Sequence, residues 1–280
     1  MSPDKTTMEI RRSIYYPKKK LLLEKFEKII KTFTKKLDDY IKNPSEDNIH
    51  DIRIAIRRME SVYRILPKKN RKNYHIQNYV KQAKALFKIN TQIRDFDIIR
   101  AKLEKQNSSQ FGQIVDSIND KRKHQLSTAH KLALKLKSVS PPKLKEKDVM
   151  ESKLRKRFQK IISELVAEME YDIPLVLNDD KKVEEIHELR KDFKKLRYSI
   201  ELTSNKMGSL KLIKSLKKIQ DELGSIHDSD MFLDYLRDMK KSHELAEATR
   251  EESRERREKY QRFVQIFKDG GFDDLKKLIL

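Results

Sequence analysis

Apolar residues recur at spacings of three and four along most of this chain, the period that gives an α-helix one buried face. Leu21, Leu22, Phe26, Ile29, Ile30, Phe33, Leu37 and Ile41 form the first such ladder and predict a helix from about Pro17 to Lys42. Proline suits a first turn, where its missing N–H has no partner to lose. The stretch NPSEDNIH breaks the pattern, and Ser45 is placed to cap a second helix with the ladder Ile49, Ile52, Ile56, Met59, Tyr63 and Leu66. Pro67 ends that ladder. A third helix is predicted from near Tyr74 through RDFD to about Leu103, and a fourth from roughly Phe111 to Lys137.

Pro141 and Pro142 cannot continue a helix, so SVSPPKLKEKD, residues 138–148, reads as a linker. Four further ladders follow it, near 151–171, 181–202, 209–240 and 241–268, in the same order and with the same character. The expected fold is all-α: two antiparallel four-helix bundles related by a pseudo-twofold axis. The expected layout is a tail at 1–17, a first half at 18–137, the linker, and a second half at 149–280.

The duplication holds residue by residue. At an offset of 137, His50, Arg53, Arg57 and Arg58 fall on His187, Arg190, Lys194 and Lys195, while Ile49, Ile52, Ile56 and Met59 fall on Ile186, Leu189, Phe193 and Leu196. At an offset of 133, Lys81 and Lys84 fall on Lys214 and Lys217, and Asp95 and Asp97 fall on Asp228 and Asp230. Polar and apolar faces therefore repeat together.

His50, Arg53, Arg57 and Arg64 project from one side of the second helix, opposite its ladder. The second copy offers His187, Arg190, Lys194 and Arg197, and the third helices add Lys81 and Lys84 in one half and Lys214 and Lys217 in the other. A solvated helix face ordinarily mixes signs at i, i+4 to gain pairing energy. These rows set like charges side by side, twice, an arrangement best relieved by a bound anion. If the halves pack about a twofold, the rows meet across one cleft. Arginine bridges two phosphate oxygens, lysine supplies a mobile point charge, and histidine is a donor whose cation is favoured beside phosphate.

Composition sharpens this picture. There are 65 Lys and Arg against 44 Asp and Glu, a formal charge of +21, which points to a polyanionic partner. With no cysteine, thiolate metal sites, disulfides and cysteine nucleophiles are excluded. The longest apolar run near the start, Leu21 to Leu23, is too short for a signal or membrane segment, so a cytoplasmic protein without membrane contact is expected. The paired RDFD and HDSD segments read as local acids that cap helices or orient nearby basic groups, with metal ligation the lesser reading.

At these residues the chain resembles the CHAD family, the conserved histidine α-helical domain. HDIRIAIRR from His50 and HELRKDFKKLRY from His187 are similar to its paired signatures, and IRDFDII and LGSIHDSDMFL to its later segment in each half. The resemblance runs from about Lys18 onward and makes the two halves together one such domain. It implies two bundles around a basic surface that binds inorganic polyphosphate, with His50, Arg53, Arg57, His187, Arg190, Lys194 and Arg197 as phosphate contacts. Association with polyphosphate granules in the cytoplasm is the further expectation. One departure is visible: Asn90 and Thr91 stand opposite Leu223 and Gly224, a difference expected to alter a local turn. The alternating ExExK strand of the triphosphate tunnel domain fused to many relatives is not found.

The expected function is therefore non-catalytic binding, with no catalytic residue, cofactor or metal. A nucleic-acid-binding helical protein is the alternative, since +21 serves RNA or DNA as well. Against it, the rows hold few aromatics for base stacking. A metal phosphohydrolase built on the HD pairs at His50 and His227 is disfavoured, because adjacent helical residues diverge by about 100°.

Overall fold

The three-and-four periodicity is realised as helix along nearly the whole chain. The computed structural model describes residues 18–106, 111–203, 207–239 and 243–268. Among these the order is α1 (Lys19–Lys42), α2 (Glu46–Ile65), the single turn α3 (Lys68–Arg71), α4 (Tyr74–Lys105), α5 (Gly112–Lys137), α6 (Glu151–Asn178), α7 (Val183–Glu201), α8 (Met207–Arg237) and α9 (His243–Lys268). The protein is all-α, as its pattern predicts. The expected tail at 1–17, the role of Pro17 and the last twelve residues lie outside the described residues.

Local chemistry sets the ends. The Ser45 hydroxyl accepts from the Asn48 amide at 3.2 Å, and the Asn73 side chain accepts from the Ile76 amide at 3.1 Å, so α2 and α4 each start on a side-chain cap. One predicted end needs correction. α6 runs on to Asn178 with Pro174 inside it, because Met169, Ile173 and Val176 stay buried across the site and their packing outweighs the backbone bond that proline cannot make. Proline sits on the exposed side, where the Asn178 side chain donates to its carbonyl at 2.8 Å.

The turn expected at residues 90–91 and 223–224 is also corrected, since both segments lie inside helices. Asn90 is fully buried and accepts a hydrogen bond from the equally buried Tyr40 hydroxyl at 3.0 Å. At an offset of 136, Leu22, Phe26, Ile30, Phe33, Leu37 and Tyr40 fall on Phe158, Ile162, Val166, Met169, Ile173 and Val176, every one of them buried. Tyr40 thus corresponds to Val176 and Asn90 to Leu223: a buried polar pair in one copy becomes two apolar residues in the other. The change is compensated, because an asparagine there without its tyrosine would be a buried polar group short of a partner.

The chain divides into two compact units. The first comprises Leu23–Asp148 with Met231–Arg250, and the second is centred on Val149–Asp230 with the described residues from Glu251 on. In the first, α2 and α5 pack on α4; in the second, α6 packs on α7. The first unit also holds a cluster of Ile99, Leu103 and Phe111 with Phe232, Leu236 and Leu245. These are equivalent positions of the two sequence copies, at offsets of 133 and 134, so the duplicated segments share one piece of core.

Candidate functional site

In the first unit the His/Arg row rises from α2 above Ile49, Ile52, Ile56 and Met59, all essentially inaccessible. Phe87 of α4 supports it: the Arg53 and Arg57 guanidinium carbons lie 5.7 and 5.0 Å from its ring centroid. An aromatic face attracts cations, so one ring holds two like charges side by side. At the start of α2, Glu46 accepts from Arg100 at 2.7 Å and pairs with Arg94 at 3.8 Å, which ties α2 to α4 and sets Arg94 beside His50. His50 keeps an exposed edge, yet partial burial and then Arg94 and Arg53 hold it below the usual histidine range against the opposing pull of Asp51. That aspartate is bound to Lys36 at 2.6 Å.

The other end of the row is mixed. Glu60 stands 3.6 Å from Lys84, and burial pushes its carboxyl up while Lys84, Arg64 and Arg57 draw it down. Lys84 and Arg64 thus face a carboxylate, and Lys81 is exposed on α4.

In the second unit His187, Arg190 and Lys194 project from α7 above the buried Ile186, Leu189, Phe193 and Leu196. His187 Nδ1 lies 3.1 Å from Nδ1 of His227 on α8. Burial, then Arg190, His187, Lys194 and Lys191, push His227 down to about 3. Burial, Lys191 and Arg190 lower His187 as well, against Glu188. Arg197 is committed to the protein itself: it donates to Gln220 and, at 2.9 Å, to Glu201, and its guanidinium lies 4.4 Å from the Tyr198 ring centroid. Lys214 and Lys217 are exposed on α8.

The two copies therefore agree over His50, Arg53 and Arg57 and over His187, Arg190 and Lys194, and diverge beyond. At the offset of 137, Glu60 and Arg64 fall on Arg197 and Glu201, the same acid and base in reversed order. Arg64 and Arg197 are not equivalents; each faces an acid at the far end of its row.

Several pairings between helices escaped the sequence reading. Arg94 and His227 are equivalent at the offset of 133, one residue before the acids on which attention fell. Asp97, with a side chain only 1% exposed, pairs with Arg122 of α5 at 2.6 Å. Its equivalent Asp230 pairs with Arg256 of α9, which also donates to the Asp180 carbonyl at 2.8 Å. These acids sit within helices rather than at their starts, and each orients an arginine of the following helix. Among the described residues no group of three or more His, Asp and Glu is placed to hold a metal ion, and no helix is long and apolar enough to cross a membrane.

A search of curated proteins returns no match to this chain. The family model of the CHAD domain matches residues 24–237.

Proposed function

From the premise that the chain belongs to the CHAD family, we propose that it binds inorganic polyphosphate, without catalysis, through the two basic rows. The observation that supports this reading most is the pair of copied rows, His50, Arg53, Arg57 and His187, Arg190, Lys194, set over buried ladders with like charges adjacent. A rigid helical base keeps the cations from moving apart, so a run of phosphates is the partner that lowers their mutual repulsion. Each row would supply part of the chain's affinity for the ligand. A cytoplasmic location and association with polyphosphate granules are part of the same proposal.

Nucleic acid is the second reading, favoured by the charge of +21 alone. Single-strand binders offer aromatic faces on which bases stack. Here the ring beneath the first row, Phe87, already carries Arg53 and Arg57. A bare phosphate chain needs no such face.

The non-catalytic part has its own test. Asp51 is bound to Lys36, and Asp97 and Asp230 are bound to arginines, so these acids are engaged in ion pairs. Purified protein incubated with polyphosphate or nucleotides and Mg²⁺ or Mn²⁺ should release no phosphate above the protein-free rate. Metal-dependent release that disappears on changing Asp51 or Asp228 to Ala would show a hydrolase.

A further inference from the structure

The contact between His187 on α7 and His227 on α8 differs from anything in the first copy. The rings lie 4.5 Å apart between centroids, with Nδ1 facing Nδ1 at 3.1 Å. Such a contact needs one proton between the two nitrogens: one imidazole donates and the other accepts. A further proton taken from solvent goes to the outer Nε2 of the donating ring and leaves the hydrogen bond intact. A second would set two N–H groups against each other, so the pair has room for a single added charge.

The surroundings decide whether that charge is taken up. On α7, Arg190, Lys191 and Lys194 oppose it and Glu188 favours it, while Asp228 follows His227 on α8. The α6 acids Glu168 and Asp172 are raised by burial and then by Asp192, with Glu185 and Glu188 also acting on Asp172, and the α9 cations Lys259 and Arg262 are engaged with Ser229 and Glu222. Cations thus dominate around the pair in the free protein. An anion seated against Arg190 and Lys194 reverses that local field and makes the added proton favourable. In the first copy the position of His227 is taken by Arg94, a permanent cation beside His50.

We propose that His227 is a further phosphate-binding residue of the second unit and that, with His187, it makes this unit's grip on polyphosphate proton-dependent, whereas Arg94 supplies the equivalent charge at every pH. The proposal rests on polyphosphate being the ligand. Binding then draws a proton from solvent, and affinity rises as pH falls through and below the usual histidine range. Folding alone runs the opposite way. With His227 held down to about 3, free-protein stability from this group is full above the unfolded histidine value of about 6.5 and is lost as pH falls toward the folded one.

Calorimetry of the full chain with long-chain polyphosphate, at fixed salt and at about pH 5.5 and about pH 7.5, in buffers of different protonation enthalpy, tests this directly. The wild type should take up protons on binding and bind about tenfold more tightly at the lower pH. His227→Gln, which leaves His50 and His187 in place, should lose most of that difference, and His227→Arg should bind at the higher pH about as the wild type does at the lower. Circular dichroism checks that both variants are folded; if neither is, proton uptake by the wild type decides. Absent proton uptake, or a full pH dependence in folded His227→Gln, overturns the proposal. A wild type that binds no polyphosphate at either pH overturns the ligand assignment on which it rests.

Discussion

Replacing Arg53 and Arg57 together by alanine is expected to weaken polyphosphate binding by more than about tenfold, and so is replacing Arg190 and Lys194. A charge-assisted contact contributes roughly 1.5–3 kcal/mol, and about 1.4 kcal/mol is a factor of ten. The fold should survive both changes, because these side chains stand above ladders that they do not build. The first pair carries a side effect worth measuring, since removing both guanidiniums uncovers the face of Phe87. Binding isotherms and thermal unfolding of both double variants provide the check. If one variant binds as the wild type does while remaining folded, its row does not contribute to binding, and that copy of the row is ancestry without function.

The second large effect lies beneath the rows. Asp97→Ala strips the partner from Arg122, whose side chain is only 17% exposed, and so leaves a largely desolvated cation unpaired. Breaking such a buried pair from one side costs about 3–5 kcal/mol. Asp230→Ala should cost less, because Arg256 retains the Asp180 carbonyl and stands 3.6 Å from the Asp180 carboxylate. Denaturant unfolding of the two variants compares them. Equal losses, or a negligible loss for Asp97→Ala, would show that Arg122 is well served by solvent and that the pair does not hold α4 to α5.

Much of this was legible from period alone. The ladder under the first row names Ile49, Ile52, Ile56 and Met59, and all four are buried, because one helical face is fixed once its period is known. Ser45 could be read as a cap from its place before the ladder. What period cannot supply is the identity of partners on other helices. Arg122 and Arg256 lie on the fourth helix of each copy, 25 and 26 residues from their acids, and no local pattern marks them. Arg94 went unread, and His227 was weighed only as part of an HD pair, because the aspartates beside them drew attention as candidate caps or ligands. Tyr40 was not counted in its ladder, which was closed on Ile41, although a buried hydroxyl with Asn90 to receive it is as much core as a leucine. Pro174 went the same way, since the tendency of proline to end a helix yields when three buried neighbours hold the helix together.

Arg64 and Arg197 show the opposite failure, where period reads too much. Both lie on the row, yet each faces a carboxylate of its own helix, in opposite order in the two copies. Spacing places a side chain on a face. Whether its charge is already answered depends on neighbours that only the folded chain brings near.

The central claim is that the rows select a bare phosphate chain over other polyanions, and competition at fixed, near-physiological salt tests it most directly. Protein bound to labelled single-stranded RNA is titrated with long-chain polyphosphate of equal total charge, and the reverse titration is run beside it. Salt must be held constant, because counterion release makes either affinity fall steeply with ionic strength. Polyphosphate should displace the RNA at a small fraction of the concentration at which RNA displaces polyphosphate. Equal displacement in the two directions would contradict the claim and leave only a general polyanion surface of charge +21.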